Sequence, residues 1–128
     1  MGITAKPIIA VVDDDFRVQE SLESLLESAG YEVRLFRHAN AFLEIQDLEQ
    51  IDCLIADICM PGIDGLELRR RIEIVQPNLP MILITGCYDM AERLGNTQQN
   101  TIVFRKPFDG PRFLAAVRTS LRGSSRIT

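Results

Sequence analysis

Short apolar runs, each too brief for a helix, alternate along this chain with longer stretches whose apolar residues recur at steps of three and four. The runs are Ile8–Val12 and residues 53–56, 81–84 and 101–104. A strand can be apolar at successive positions only if both of its faces are buried, so this alternation predicts an α/β fold with a parallel sheet covered by helices on both sides. A fifth, more polar strand is expected at Glu32–Phe36, where Glu32, Arg34 and Phe36 alternate with Val33 and Leu35 as at a sheet edge.

Between the runs, Val18, Leu22, Leu25, Leu26 and Ala29 form one helical stripe, with Asp15 placed to cap its start and Gly30 to stop it. Leu68, Ile72 and Val75 repeat the pattern before Pro77, and Phe113, Val117 and Leu121 repeat it after Pro111, which suits a first helical turn. Residues 39–48 make a further helix. A short helix is possible over residues 89–94, but Gly95 is followed by six uncharged polar residues without an apolar stripe, so the fourth helix is expected to be short or irregular and to end in a loop. Residues 123–128 read as a polar tail or the start of a linker, which leaves one domain over residues 1–122.

At 128 residues, 46% hydrophobic and 25% charged, the chain can bury a core without disulfides or metal. A net charge of -4 opposes docking on a phosphate backbone, so direct nucleic-acid binding by this domain is not expected. None of the apolar runs approaches the length needed to cross a bilayer, and residues 1–7 hold no apolar segment of signal-peptide length, so a cytoplasmic protein is expected. Three cysteines, Cys53, Cys59 and Cys87, and a lone His38 lack metal-ligand spacing, and thiols are the expected state.

In open α/β sheets ligands bind at the carboxyl ends of the strands. The residues that follow the apolar runs here are Asp13, Asp14 and Asp15, then Asp57, then Thr85 and Gly86, then Lys106 and Pro107. Parallel strands place all of them on one rim. Carboxylates crowded there repel one another and either share protons or bind a cation, and hard oxygens with no His or Cys ligand favour Mg²⁺. A lysine on the same rim can hold an anion beside that metal. Asp15 is accounted for as a helix cap, whereas Asp57 follows Leu54, Ile55 and Ala56 in a central strand and belongs in the rim crevice. A tight turn is needed for Lys106 to reach back over Asp57, which predicts a cis Lys106–Pro107 bond.

The motifs Val11-Val12-Asp13-Asp14-Asp15, Ser21-Leu22, Gly30-Tyr31-Glu32-Val33, Asp57-Ile58-Cys59-Met60-Pro61-Gly62 with Gly65-Leu66-Glu67-Leu68, Ile84-Thr85-Gly86 and Lys106-Pro107-Phe108 occur in this order. The chain thereby resembles the receiver domain of bacterial two-component response regulators, nearest to the FixJ-type receivers of transcription factors. That resemblance implies a doubly wound, flavodoxin-like five-stranded sheet of order 2-1-3-4-5. It implies Asp57 as phosphoacceptor, Asp14 as a direct Mg²⁺ ligand, Asp13 as a ligand largely through water, and the Cys59 carbonyl as the remaining protein ligand. Thr85 would bind the phosphoryl oxygens and Lys106 would pair with the phosphoryl group. A sensor histidine kinase would be the donor. The output would pass to an attached or partner domain at the face made by the fourth helix, fifth strand and fifth helix, with homodimerisation as one route and transcription as the end point of control.

Three departures stand out: residues 95–100 stand in the place of the usual well-formed amphipathic fourth helix and its small Ala/Gly turn, the separation of Thr85 from Lys106 is slightly shorter than usual, and Val103 occupies the position where receivers carry a switching Tyr or Phe, with Phe104 beside it. Residues Cys59 and Cys87 fall two places after Asp57 and Thr85, where the resemblance implies control over the lifetime of the phosphorylated state. Besides a stand-alone receiver in a phosphorelay, the competing readings are an aspartyl-nucleophile phosphohydrolase and a flavodoxin-like cofactor carrier. The phosphohydrolase would need a second acid at Cys59, and the carrier a Ser/Thr/Gly loop after Ile8–Val12.

Overall fold

In the computed structural model, residues 6–45, 48–60, 62–86 and 101–122 are described, the side chain of Thr101 apart. Strand β1 (Ile8–Val12) leads to helix α1 (Phe16–Ser28), edge strand β2 (Glu32–Phe36) and a short helix α2 (Ala39–Leu43). Strand β3 (Cys53–Asp57), helix α3 (Gly65–Val75), strands β4 (Met81–Thr85) and β5 (Thr101–Arg105) and helix α4 (Gly110–Arg122) follow. The strands form one parallel sheet in the order β2-β1-β3-β4-β5. Cys87, the segment expected to hold a fourth helix and its loop, and the tail at 123–128 lie outside the described residues.

Each strand sends alternate side chains to opposite cores, as a period of two requires. Ala10, Val12, Leu54, Ala56 and Leu83 pack against Ala39, Phe42, Leu68 and Ile72 of α2 and α3. Ile9, Val11, Ile55, Ile82 and Ile84 pack against Leu22 and Leu26 of α1 and Phe113 and Val117 of α4. At the edge the division is less regular. Val33 faces the α1 side, Phe36 packs edge-on against Phe42 with ring centroids 5.3 Å apart, and Leu35 is left exposed.

The helix ends follow their sequence signals. Asp15 accepts a hydrogen bond from the Arg17 backbone N–H, and Gly30 takes up a left-handed φ of 94° just past the end of α1. Two expectations need correction. The helix expected over residues 39–48 stops at Leu43, and a 3-10 turn forms at Leu48–Gln50. At roughly 100° per residue, a continuous helix would turn Leu48 away from the side that buries Ala39 and Phe42, whereas the broken path lets Leu43, Ile45, Leu48 and Ile51 all reach the same core. Val75, assigned to the stripe of α3, is instead 58% exposed beside Ile74, because the core on that side is already closed by Leu68 and Ile72.

One close approach fixes where α3 begins. A Cβ on Gly65 would lie 2.6 Å from the Asp57 carbonyl oxygen and 2.9 Å from the Ile58 Cα, both backbone atoms that cannot rotate aside. Substitution of Gly65 by Ala is therefore expected to lower stability by about 1–3 kcal/mol. Gly86→Ala, where an added Cβ meets nothing within 4 Å, provides the matched control. Urea midpoints that fall equally for both variants would contradict the steric account.

Candidate functional site

The rim at the carboxyl ends of β1, β3, β4 and β5 gathers the predicted residues. Asp13 follows β1 directly; its backbone N–H donates to the Phe36 carbonyl at 3.0 Å, and its Oδ1 accepts the Asp15 N–H at 2.8 Å. These two bonds fold the loop so that Asp13 is wholly buried while Asp14 stays the more open of the pair. Asp57 ends β3, 5% exposed, and its Oδ1 accepts the Cys59 N–H at 3.0 Å. Carboxylate oxygens of Asp13, Asp14 and Asp57 lie within 4.8 Å of one another.

Lys106 meets this cluster from the far side of β4. Its ammonium donates to Asp57 Oδ2 at 2.9 Å and stands 3.6 Å from Asp13 Oδ2. The expected cis peptide bond is present between Lys106 and Pro107. The Lys106 backbone N–H donates to the Thr85 carbonyl at 2.8 Å, which ties the ends of β4 and β5. Thr85, 1% exposed, places its Oγ1 3.9 Å from the Sγ of Cys59, whose thiol opens to solvent at the mouth of the site. Asp15 stays at the helix end as a cap.

The electrostatics follow from burial. Asp13 is pushed up to about 6, chiefly because burial penalises its charged form, with the Asp57 and Asp14 charges adding to that against the pull of the Asp15 N–H and Lys106. For Lys106 burial works downward, but the hydrogen bond to Asp57 and the charges of Asp13, Asp57 and Asp15 outweigh it, so the ammonium is held more firmly than in water. Cys53, by contrast, opens β3 with its thiol fully buried and pushed up to about 12 by burial and by Asp52, and is inert as a nucleophile.

The fit to a divalent cation rests on one orphaned atom. Asp13 Oδ2 is buried without a hydrogen-bond donor, a costly state for a carboxylate oxygen unless a cation completes it. The donors around it are hard carboxylate oxygens, the set that suits Mg²⁺ better than a thiophilic metal. The acidic pocket can thus accept a divalent cation.

One polar residue beside the site escaped the sequence reading. Gln19 is 4% exposed and donates through Nε2 to the Phe36 carbonyl at 2.9 Å. Its signal was the spacing 19, 22, 26, which puts it on the buried stripe of α1 with Leu22 and Leu26.

Comparison with known proteins gives a consistent picture. Residues 9–118 match the family model "Response regulator receiver domain". The chain is 36% identical over 121 residues to the transcriptional regulatory protein FixJ of Bradyrhizobium diazoefficiens, covering 94% of this chain and 59% of FixJ. It is 35% identical to the C4-dicarboxylate transport transcriptional regulatory protein DctD of Rhizobium meliloti, covering 91% of this chain and 25% of DctD. Among solved structures it resembles the response regulator StyR, with a TM-score of 0.83 and 39% identity over 92% of this chain and 60% of that one. The chain therefore spans less than two thirds of each of these relatives.

A buried carboxylate with raised proton affinity costs stability when ionised. The folded state binds a proton at Asp13 up to pH of about 6, whereas the unfolded chain releases it near 3.8, so this residue's contribution falls as pH rises between those values. Asp13→Asn removes the charge and is expected to stabilise the cation-free protein by on the order of 2–3 kcal/mol at pH 7.5, with little gain at pH 4. Urea denaturation of both proteins at the two pH values measures this, and a pH-independent difference would refute the burial argument.

Proposed function

Since the chain belongs to the response regulator receiver domain family, we propose that it is a phosphorylation-operated switch in which Asp57 accepts the phosphoryl group. The observation that carries this reading is the pairing of Asp57 Oδ2 with Lys106 at 2.9 Å inside a cluster of buried and half-buried carboxylates. No general base is required, because the attacking group is a carboxylate already held next to an ammonium. One oxygen of Asp57 forms the new O–P bond while the bond from phosphorus to the donor, the P–N bond of a phosphohistidine, breaks, and the imidazole leaves with the electron pair. Mg²⁺, when bound, supplies neutralisation of the phosphoryl oxygens, with Asp13, Asp14, Asp57 and the Cys59 carbonyl as its protein ligands.

The chain's own groups do the rest. The Cys59 N–H steadies Asp57 Oδ1, so the carboxylate plane is fixed before attack. Lys106 gives up Asp57 Oδ2 for a phosphoryl oxygen, and the Thr85 hydroxyl turns toward the new acceptor oxygens. Because the Lys106 N–H is bonded to the Thr85 carbonyl, the ends of β4 and β5 respond together. Moving a two-state element from mostly off to mostly on takes about 5.5 kcal/mol of differential interaction, within reach of a few charge-assisted contacts in a partly dry site.

The donor in this reading is a sensor histidine kinase. Exposed Phe16 at the start of α1 and an open groove of about 320 Å³, lined by Val18, Leu22, Leu25, Pro107 and Phe108 beside Lys106, offer it apolar contact on the same rim. The output passes to an attached domain or partner at the face that includes β5 and α4, with homodimerisation one route. FixJ and DctD are transcriptional regulators and longer than this chain, so we assign the end point to transcription.

Incubation with a small acyl phosphate and Mg²⁺ should add one phosphoryl group by intact mass, and Asp57→Asn should abolish the adduct. Persistence of the adduct in that variant would remove Asp57 from the role, and turnover of an aryl phosphate by the parent would favour a phosphohydrolase instead.

Cys59 provides a second test. Sulfur orients water poorly, so a thiol at the mouth of the site should leave the acyl phosphate long-lived. Cys59→Asn is expected to shorten the phosphoryl half-life severalfold, measured by loss of the added mass after removal of the donor; an unchanged half-life excludes the residue from that step.

A further inference from the structure

Four polar or charged side chains are buried among the described residues: Asp13, Asp57, Thr85 and Gln19. The first three belong to the rim. Gln19 sits one turn into α1, on the stripe that otherwise buries Leu22 and Leu26, where an apolar side chain would pack at no desolvation cost. An amide kept in such a place points to a use for its polarity.

That use is legible in the hydrogen bonds. The Phe36 carbonyl at the end of β2 accepts twice, from Gln19 Nε2 at 2.9 Å and from the Asp13 backbone N–H at 3.0 Å. The same loop is held from within by the Asp15 N–H on Asp13 Oδ1, and the Gln19 backbone N–H donates to the Asp15 carbonyl at 3.1 Å. Gln19 therefore clamps helix α1 and the edge strand around both ends of the acidic turn. Without it, the Phe36 carbonyl would keep a single donor, and the strand end that fixes the Asp13 amide would be held by its pairing with β1 and by the packing of its ring on Phe42, with no tie to α1.

We propose that Gln19 is a positioning residue for the carboxylate cluster: through the Phe36 carbonyl it sets the height of Asp13 in the rim and hence the affinity of the cluster for a divalent cation. It touches neither the cation nor the phosphoryl group. Supporting bonds behind metal ligands commonly decide affinity because they fix ligands that would otherwise have to be ordered on binding. This inference rests on the cation-dependent reading of the site given above.

The test uses the whole chain and MgCl₂ as the probe. Gln19→Met keeps the volume and removes the donor, and Leu26→Ala, on the same buried stripe, serves as a control that loosens packing without touching the clamp. Calorimetry should show Mg²⁺ binding about three- to tenfold weaker in Gln19→Met. Its thermal midpoint should be held or raised, while Leu26→Ala should lose stability and keep the parent's affinity. Half-saturation of phosphoryl uptake in Mg²⁺ should shift by the same factor with an unchanged plateau, and the Asp13 amide should lose hydrogen-exchange protection. Unchanged Mg²⁺ affinity in Gln19→Met overturns the proposal, as does an equal loss in Leu26→Ala, which would make Gln19 an ordinary packing residue. If Gln19→Met does not fold, Gln19→Asn, one methylene short of the carbonyl, must show the same loss of affinity. Absence of Mg²⁺ binding in the parent overturns the cation reading itself and this inference with it, a result visible before any variant is made.

Discussion

The contact on which the rim depends is the one between Lys106 and Asp57. Three carboxylates within 4.8 Å of one another are held in a crevice where one of them is wholly buried, and the ammonium is the cation the fold itself supplies to offset them. Lys106 follows β5, which is separated from β3 by β4, so the lysine and aspartate side chains, joined by their 2.9 Å hydrogen bond, together bridge two strand spacings of about 4.8 Å each. Only a long, flexible cation placed by a tight turn can do so. The offset is partial, since Asp13 remains shifted toward its protonated form despite the nearby ammonium. A site left short of positive charge in this way can take up more of it as a divalent cation.

Much of this was open to reading in the sequence, for a physical reason. Parallel strands buried on both faces must be apolar at successive positions, and the residue that follows each run then falls on a common rim. Asp13, Asp57, Thr85 and Lys106 could be placed together before any coordinates because the strand ends do the aligning. The pattern was silent where burial is decided by competition. Residues 39–48 have apolar side chains dense enough for a helix, but their angular spread suits a break, and only the shape of the α2–α3 core decides between the two. Val75 has the right spacing for its stripe and still lies outside because the core ends one turn earlier. Gln19 is the converse case: its spacing puts it on a buried stripe although its side chain is polar.

The strand period also settles what β5 contributes. Residues 102 and 104 face the α1 and α4 side, and residue 103 faces the other. Phe104 therefore joins Phe113, with centroids 5.2 Å apart, and Phe108, which stacks on Phe113 at 4.6 Å. Val103 is packed toward the α2–α3 core, and a side chain with no ring cannot turn inward as an aromatic one would. The consequence lies in the chain path rather than in any one contact. Lys106 is two residues after Phe104 and two before Phe108, and both rings rest on Phe113, which is fully buried in α4. The lysine that pairs with Asp57 thus lies in a segment anchored on both sides to the last helix, so its position is coupled to the aromatic packing beneath α4 more directly than to the opposite face of β5.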